Sequence, residues 1–243
     1  MVYGEALGRA ISAKVFPHLK ELRCGKIKGM GDEGWLAIMK GLEEGGCTEL
    51  QILDMSHNTM SRTVATALIR ALSSGLCRHL EDFDLSDSFD GDESTQLVLQ
   101  SIKNISFPSV RKFNLGKIRT KADHSTLLGE ALKAGAFPKL ELLWFSDHSI
   151  HHSLWEGLES GKCRELRELF LQFVHLDSDS STALASAVAS GSLSKLQDFC
   201  FGETGGGDAG NTNLVEVLSA LASSCPDLRH LDVSGGFRSP ATR

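Results

Sequence analysis

The stretch SGLCRHLEDFDLSD, Ser74 to Asp87, gathers Cys77, His79 and the acids Glu81, Asp82, Asp84 and Asp87. Such a set could bind a metal or activate a thiolate, and either task needs its groups at short, defined spacing. No C-x-x-C pair accompanies Cys77, so the usual ligand frame of a structural zinc is missing. A second candidate is DHSIHH, in which His148, His151 and His152 follow Asp147. Imidazole is the commonest metal ligand, but these residues lack the helical or hairpin spacing of a ligand set, and a tight polar loop is favoured. The third is FGETGGGDAGN, Phe201 to Asn211. A glycine-rich loop can cradle phosphate, yet this one lacks the Lys-Ser/Thr pair of a P-loop, and a flexible strand-to-helix loop is favoured. Catalysis by a serine nucleophile would call for G-x-S-x-G, which does not occur. No cofactor or metal is implied, and an enzyme is not expected.

The setting of Cys77 explains it better than chemistry does. The segments LKELRC from Leu19, LQILDM from Leu50, LEDFDL from Leu80 and VRKFNL from Val110 all read apolar-x-x-apolar-x-apolar. So do LELLWF from Leu140, LRELFL from Leu166, LQDFCF from Leu196 and LRHLDV from Leu228. Their starts lie 30 to 32 residues apart, except for one interval of 26, and a fixed period of this size marks a repeat architecture. Three residues before each start stand Phe16, Cys47, Cys77, Phe107, Phe137, Cys163, Leu193 and Cys225. A slot that takes Cys, Phe or Leu is a burial slot, because free Cys behaves as a small hydrophobe. Cys47 and Cys77 fill it in adjacent repeats, a placement that would allow a disulfide by distance, but core thiols are the expected reading.

Each repeat also predicts a helix. Leu68, Ile69 and Leu72, then Val98, Leu99 and Ile102, then Leu154, Trp155 and Leu158 give the i, i+1, i+4 spacing of a buried stripe. Ser153 with Glu156 fits a capping box. Gly45, Gly75, Gly135, Gly161 and Gly191 stand five before the strand motif, where a helix commonly ends in a left-handed residue. Pro17, Pro108, Pro138 and Pro226 share the slot after the burial residue and enforce an extended approach. One such unit cannot cover its own apolar face, so neighbours must stack. Strands stack at about 4.8 Å and helices at about 10 Å, so the expected form is an α/β solenoid curved like a horseshoe, with a parallel concave sheet, convex helices and about eight repeats.

The chain resembles the ribonuclease-inhibitor-like class of leucine-rich repeat proteins, from Glu5 to about Val233. LQILDMSHN, Leu50 to Asn58, matches L-x-x-L-x-L-x-x-N in full. The other repeats carry Ile27, Ser88, Ile118, His148, Val174, Thr204 or Gly236 in the Asn slot, so their loop backbones must be satisfied in other ways. The resemblance implies a single leucine-rich repeat domain over residues 1–233 and a tail over 234–243. Members of the class are inhibitors, sensor regions of innate immune receptors, and a GTPase activator of nuclear transport. The implied function is a non-enzymatic interaction module; a GTPase-activating protein and the sensor region of a larger signalling protein stand as alternatives.

Bulk properties fit this. The net charge is -6, from 25 basic and 31 acidic residues dispersed along the chain, without the basic stripe of a nucleic-acid binder. No apolar run approaches the roughly 20 residues that span a bilayer, and the N-terminus lacks a secretory core. Six cysteines in 243 residues do not suggest a disulfide scaffold, and the expected compartment is cytoplasmic and reducing.

Strand side chains alternate between faces, which assigns the third and fifth motif positions to the concave surface. The candidate partner-binding residues are therefore Arg23, Asp54, Asp82, Asp84, Lys112, Asn114, Leu142, Trp144, Glu168, Phe170 and Asp198. Asp54, Asp82 and Asp84 form an acidic strip bordered by Arg23 and Lys112; Leu142, Trp144 and Phe170 form an apolar patch with two aromatic anchors, a residue type enriched at interfaces. The partner is another protein, with neither nucleic acid nor membrane expected. Neither end shows a convincing polar cap, so the chain is either a fragment of a longer protein or has open terminal strands prone to self-association.

Overall fold

The computed structural model describes residues 2–27, 29–75, 78–116, 124–146, 150–172, 178–202 and 214–233. Helices and strands alternate: α1 (Val2–Ser12), β1 (Glu21–Arg23), α2 (Asp32–Glu43), β2 (Ile52–Asp54), α3 (Arg62–Ser73), β3 (Asp82–Asp84), α4 (Asp92–Ile102) and β4 (Lys112–Leu115). The second half runs α5 (His124–Ala134), β5 (Leu142–Ser146), α6 (His152–Glu159), β6 (Glu168–Gln172), α7 (Ser178–Ala189), β7 (Asp198–Gly202), α8 (Leu214–Ser224) and β8 (His230–Asp232). The strands form one open sheet in chain order, every neighbouring pair parallel. Each helix packs on the next. The architecture is an α/β solenoid of about eight repeats.

Register follows the motif without a slip. The fourth motif position runs through Leu22, Leu53, Phe83, Phe113, Leu143, Leu169, Phe199 and Leu231 as one row across the sheet. All but Leu231 are buried. A one-residue slip would turn this row to solvent, so burial fixes the pairing. Behind the row stand the burial-slot residues Cys47, Phe107, Phe137, Cys163, Leu193 and Cys225, all buried, while Cys77 lies outside the described residues. Phe16 departs from the expectation: it is 40% exposed, and among the described residues its unit packs on that of α2 alone. Phe83, Phe107, Phe113 and Phe137 stack on one another with ring centroids 4.8–6.0 Å apart, so row and slot interlock in the middle of the array.

The helix signals have their expected places with one exception. Leu68, Leu72, Val98, Leu99, Ile102, Leu154, Trp155 and Leu158 are all buried, while Ile69 is half-buried against the core. Gly45, Gly75, Gly135, Gly161 and Gly191 all take positive φ, between 70° and 98°. The exception is α6, whose N-cap is His151 rather than Ser153: the His151 side chain accepts from the Ser153 N–H. Glu156, expected to close a capping box, instead pairs with Lys133 at 3.1 Å and His152 at 3.7 Å. The 26-residue interval leaves room for a helix of only eight residues, and glycines let it sit close to α5. A methyl group at Gly129 would stand 2.1 Å from the Ser153 carbonyl oxygen, and one at Gly157 would stand 2.6 Å from that of Gly129.

Candidate functional site

Two rows of side chains line the open face of the sheet. The first is Glu21, Ile52, Asp82, Lys112, Leu142, Glu168, Asp198 and His230; the second is Arg23, Asp54, Asp84, Asn114, Trp144, Phe170, Cys200 and Asp232. All eleven expected residues thus lie on one face, in two files, at the spacing of paired parallel strands.

The second row divides sharply. In its first half, side-chain oxygens turn back on their own loops: the Ser56 N–H donates to Asp54 Oδ1 at 2.9 Å, the Ser86 N–H to Asp84 Oδ1 at 2.9 Å and the Gly116 N–H to Asn114 Oδ1 at 2.8 Å. These are Asx turns, in which a short side chain mimics a backbone turn. Asp84 is the most engaged: its Oδ1 also accepts from Ser86 Oγ at 2.6 Å and its Oδ2 from Asn114 Nδ2 at 2.8 Å. Asp54 and Asp84 of the acidic strip are therefore part of the loop scaffold, a role the sequence reading did not assign. The signal was present in the recurrence of Asp or Asn two residues before Ser or Gly in three successive repeats.

Burial acts on this strip against its charge. Desolvation raises the Asp82 pKa, opposed by Lys112 and reinforced by Asp84. Desolvation also raises that of Asp84, while the bonds from Ser86 pull it down and Asp54 pushes it up. Carboxylates crowded at the edge of low-dielectric surroundings favour the proton.

In the second half the row turns apolar. Trp144 is half-buried, as is Leu142 beside it in the first row. The Trp144 Nε1–H is shielded from solvent and has no hydrogen-bond partner among the described residues. Phe170, expected as an exposed anchor, is only 7% exposed. It lies between Trp144 and Cys200 in the row, and Cys200 is buried as well. A ring hemmed in on both sides presents little surface, so the patch that meets solvent centres on Trp144 and Leu142. Beyond it, Cys200 Sγ lies 3.5 Å from His230 Nδ1, which is 3.6 Å from Asp198 Oδ1.

Loops at the ends of the strands are held by Asn58. Its Nδ2 donates to the carbonyls of Cys24, Met55 and Ser56 at 2.9, 2.7 and 3.1 Å, and its Oδ1 accepts from the Ile27 N–H at 3.2 Å. Ser88, in the same slot one repeat later, donates to the carbonyl of Met55 at 2.9 Å. The hydroxyl reproduces one arm of the amide and reaches back to the preceding repeat as the asparagine does. Of the other occupants of this slot, Ile27 is exposed, and Ile118, His148, Val174, Thr204 and Gly236 lie outside the described residues.

The remaining candidates have structural occupations. His151 caps α6, and its ring lies 3.9 Å from that of His152; His148 lies outside the described residues. Among the described residues no group of three His, Cys, Asp or Glu is arranged to hold a metal ion. The glycine-rich segment from residue 203 onward is likewise outside them. Cys24, Cys47, Cys163, Cys200 and Cys225 are buried thiols, and burial pushes Cys163 up to about 12, which leaves it protonated and inert. Among the described residues no helix is long and apolar enough to cross a membrane. No protein-family model and no curated protein sequence matches this chain.

Proposed function

We propose that this chain is a leucine-rich repeat protein of the ribonuclease-inhibitor-like class, and that it recognises another protein through the open face of its sheet without catalysing a reaction. One observation carries this reading: the half-buried Trp144 and Leu142 lie on the same face as Asp54, Asp82 and Asp84, in the same two files. An apolar anchor on the same face as an acidic strip, with Lys112 and Asn114 between them, is the composition of a protein-binding patch, in which the aromatic supplies affinity and the charges supply selectivity. A partner that presents an apolar side chain next to a basic one would match it. The aspartates lie on the open face of the sheet, a setting that does not suit a reaction needing shelter from water. Buried, protonated thiols suit a reducing compartment.

The test is affinity capture from the native cell extract with the wild type beside a Leu142→Ala, Trp144→Ala variant and an Asp54→Lys, Asp82→Lys variant. Circular dichroism shows that each variant is folded. A partner held by the wild type and lost by both folded variants supports the reading. A partner held equally by all three moves the binding surface elsewhere on the molecule.

A further inference from the structure

On the reading of the open face as a protein-binding surface, we infer that the partner meets it with one α-helix laid across strands β2 to β5. That helix carries apolar, basic, acidic and apolar side chains at i, i+3, i+7 and i+10. The first file runs Ile52, Asp82, Lys112 and Leu142 over these four strands, so its character is apolar, negative, positive, apolar. Ile52, Asp82 and Leu142 are half-buried and Lys112 is exposed. All four lie inside the array, on strands paired on both sides.

Spacing selects a helix over an extended segment. Paired strands lie about 4.8 Å apart, so the steps from Ile52 to Leu142 span about 14 Å. A helix rises about 1.5 Å per residue, and side chains at i, i+3, i+7 and i+10 share one face over about 15 Å. An extended segment returns to the same face every second residue, about 6.7 Å apart, and four such contacts cover about 20 Å. Its charges fall out of step with the file by about one strand. Width fits as well. The two files stand two residues apart along each strand, about 6.7 Å, within the diameter of about 10 Å of a helix with its side chains. The helix therefore reaches both files, and its last apolar residue meets Trp144 together with Leu142.

Bonding within the chain separates the charges that serve a partner from those that do not. Asp54 and Asp84 each commit one oxygen to their own loops, and Asp84 commits the other to Asn114. Asp82 and Lys112 are neighbours in register, yet among the described residues neither side chain makes a hydrogen bond or an ion pair. Two opposite charges side by side and unpaired match a partner that bears the same two charges in exchanged order. The order also fixes register. Sliding the helix by one contact sets its basic residue on Lys112 in one direction and its acidic residue on Asp82 in the other, like charge on like.

Two alanine-rich helical peptides of about 18 residues test this. One carries Leu, Arg, Glu and Leu at the four positions and the other carries them in reverse order, because the spacing reads alike in both directions. Titrated into the full-length chain, one of them is expected to shift the Trp144 emission to the blue until it saturates; Trp35 and Trp155 are buried and stay silent. Asp82→Lys, its fold checked by circular dichroism, should weaken binding of that peptide by about tenfold or more. Replacing the peptide's Arg by Glu should restore binding to this variant. A version with proline at its middle keeps the four side chains but breaks the helix, and should not bind. Binding of neither peptide to the wild type overturns the helix, as does equal binding of the proline version. An affinity that Asp82→Lys leaves unchanged overturns the register. If neither peptide binds while affinity capture still finds a partner lost by the Leu142→Ala, Trp144→Ala variant, the helix fails and the binding face stands. A partner retained by that variant overturns the face itself.

Discussion

The indole of Trp144 lies against Gly116 in the preceding repeat: a methyl group on Gly116 would stand 3.1 Å from Cε2 and 3.2 Å from Nε1. Gly25 stands in the same relation to Asp54, whose carboxylate oxygens would lie 3.1 and 3.2 Å from a methyl there. The residue two beyond the strand's fifth motif position thus makes room for the next repeat's side chain. Gly116→Ala should push the Trp144 ring outward by a few tenths of an ångström and open its Nε1–H to water. Trp35 and Trp155 are fully buried, so fluorescence emission reports this movement, and a red shift is expected. Unchanged emission would mean that the indole yields without leaving its place.

A harsher version of the same crowding holds the short repeat together. With 2.1 Å between a methyl at Gly129 and the backbone oxygen of Ser153, Gly129→Ala cannot be absorbed by a side-chain movement. Overpacking of this kind typically costs about 1–3 kcal/mol. Gly191 provides the contrast, since nothing lies near its added methyl and only its φ of 78° opposes substitution. Gly191→Ala should cost about 1 kcal/mol, the penalty of a left-handed backbone for an L-residue. Urea unfolding of both variants would check the order, and equal losses would show that α5 and α6 separate without difficulty.

These glycines mark the boundary of what the sequence could reveal. Period and apolar spacing were enough for strand order, register and the positive-φ turns, because each depends on residues repeated at fixed intervals. Gly129 and Gly157 carry no such signal, since their constraint comes from a helix in the next repeat. Phe170 was misread for the same reason: alternation gives the face a side chain takes but not how far its neighbours in the row, Trp144 and Cys200, close around it. His151 was passed over as a cap because histidine is not among the preferred capping residues, and Ser153 fitted the motif better. The Asx turns of Asp54, Asp84 and Asn114 were legible, but the acidic charge of Asp54 and Asp84 drew the reading toward binding.

Asn58 should be the costliest polar side chain to remove. Asn58→Ala leaves the carbonyl of Cys24 and the N–H of Ile27 without the amide that joins them across 31 to 34 residues of chain. Orphaned buried groups cost about 1–3 kcal/mol each, partly offset where water reaches them. Ser88→Ala removes the equivalent donor to Met55 but no acceptor, so its loss should be smaller. Thermal unfolding of the two variants would rank them, and a larger loss at Ser88 would contradict the assignment of the amide as the main loop tie.

The acidic strip predicts an unusual pH response. Asp82 and Asp84 have raised pKa values in the folded chain, chiefly through desolvation, so in that window the folded state binds more protons than the unfolded one. Their contribution to stability is then fully present below the ordinary carboxylate pKa and is lost as pH rises through the raised folded values. Glu156 and Glu165 act in the opposite sense, held down by bonds from Lys133 and Lys195, but both are exposed and their effect is weakened by solvent screening. Asp82→Asn removes a desolvated charge that faces Asp84 and Asp54, and among the described residues its carboxylate has no hydrogen bond to lose. It should therefore raise the melting temperature at neutral pH by a few degrees at most, with a smaller gain in mild acid, where Asp82 itself carries its proton. Asp84→Ala, in contrast, forfeits the bonds from Ser86 and Asn114 and should destabilise by about 1–2 kcal/mol. Melting curves of the three proteins at neutral and mildly acidic pH decide the matter. If Asp82→Asn proves destabilising at neutral pH, the attraction of Lys112 outweighs the burial of the charge, and the strip is held by ion pairing rather than in spite of its repulsion.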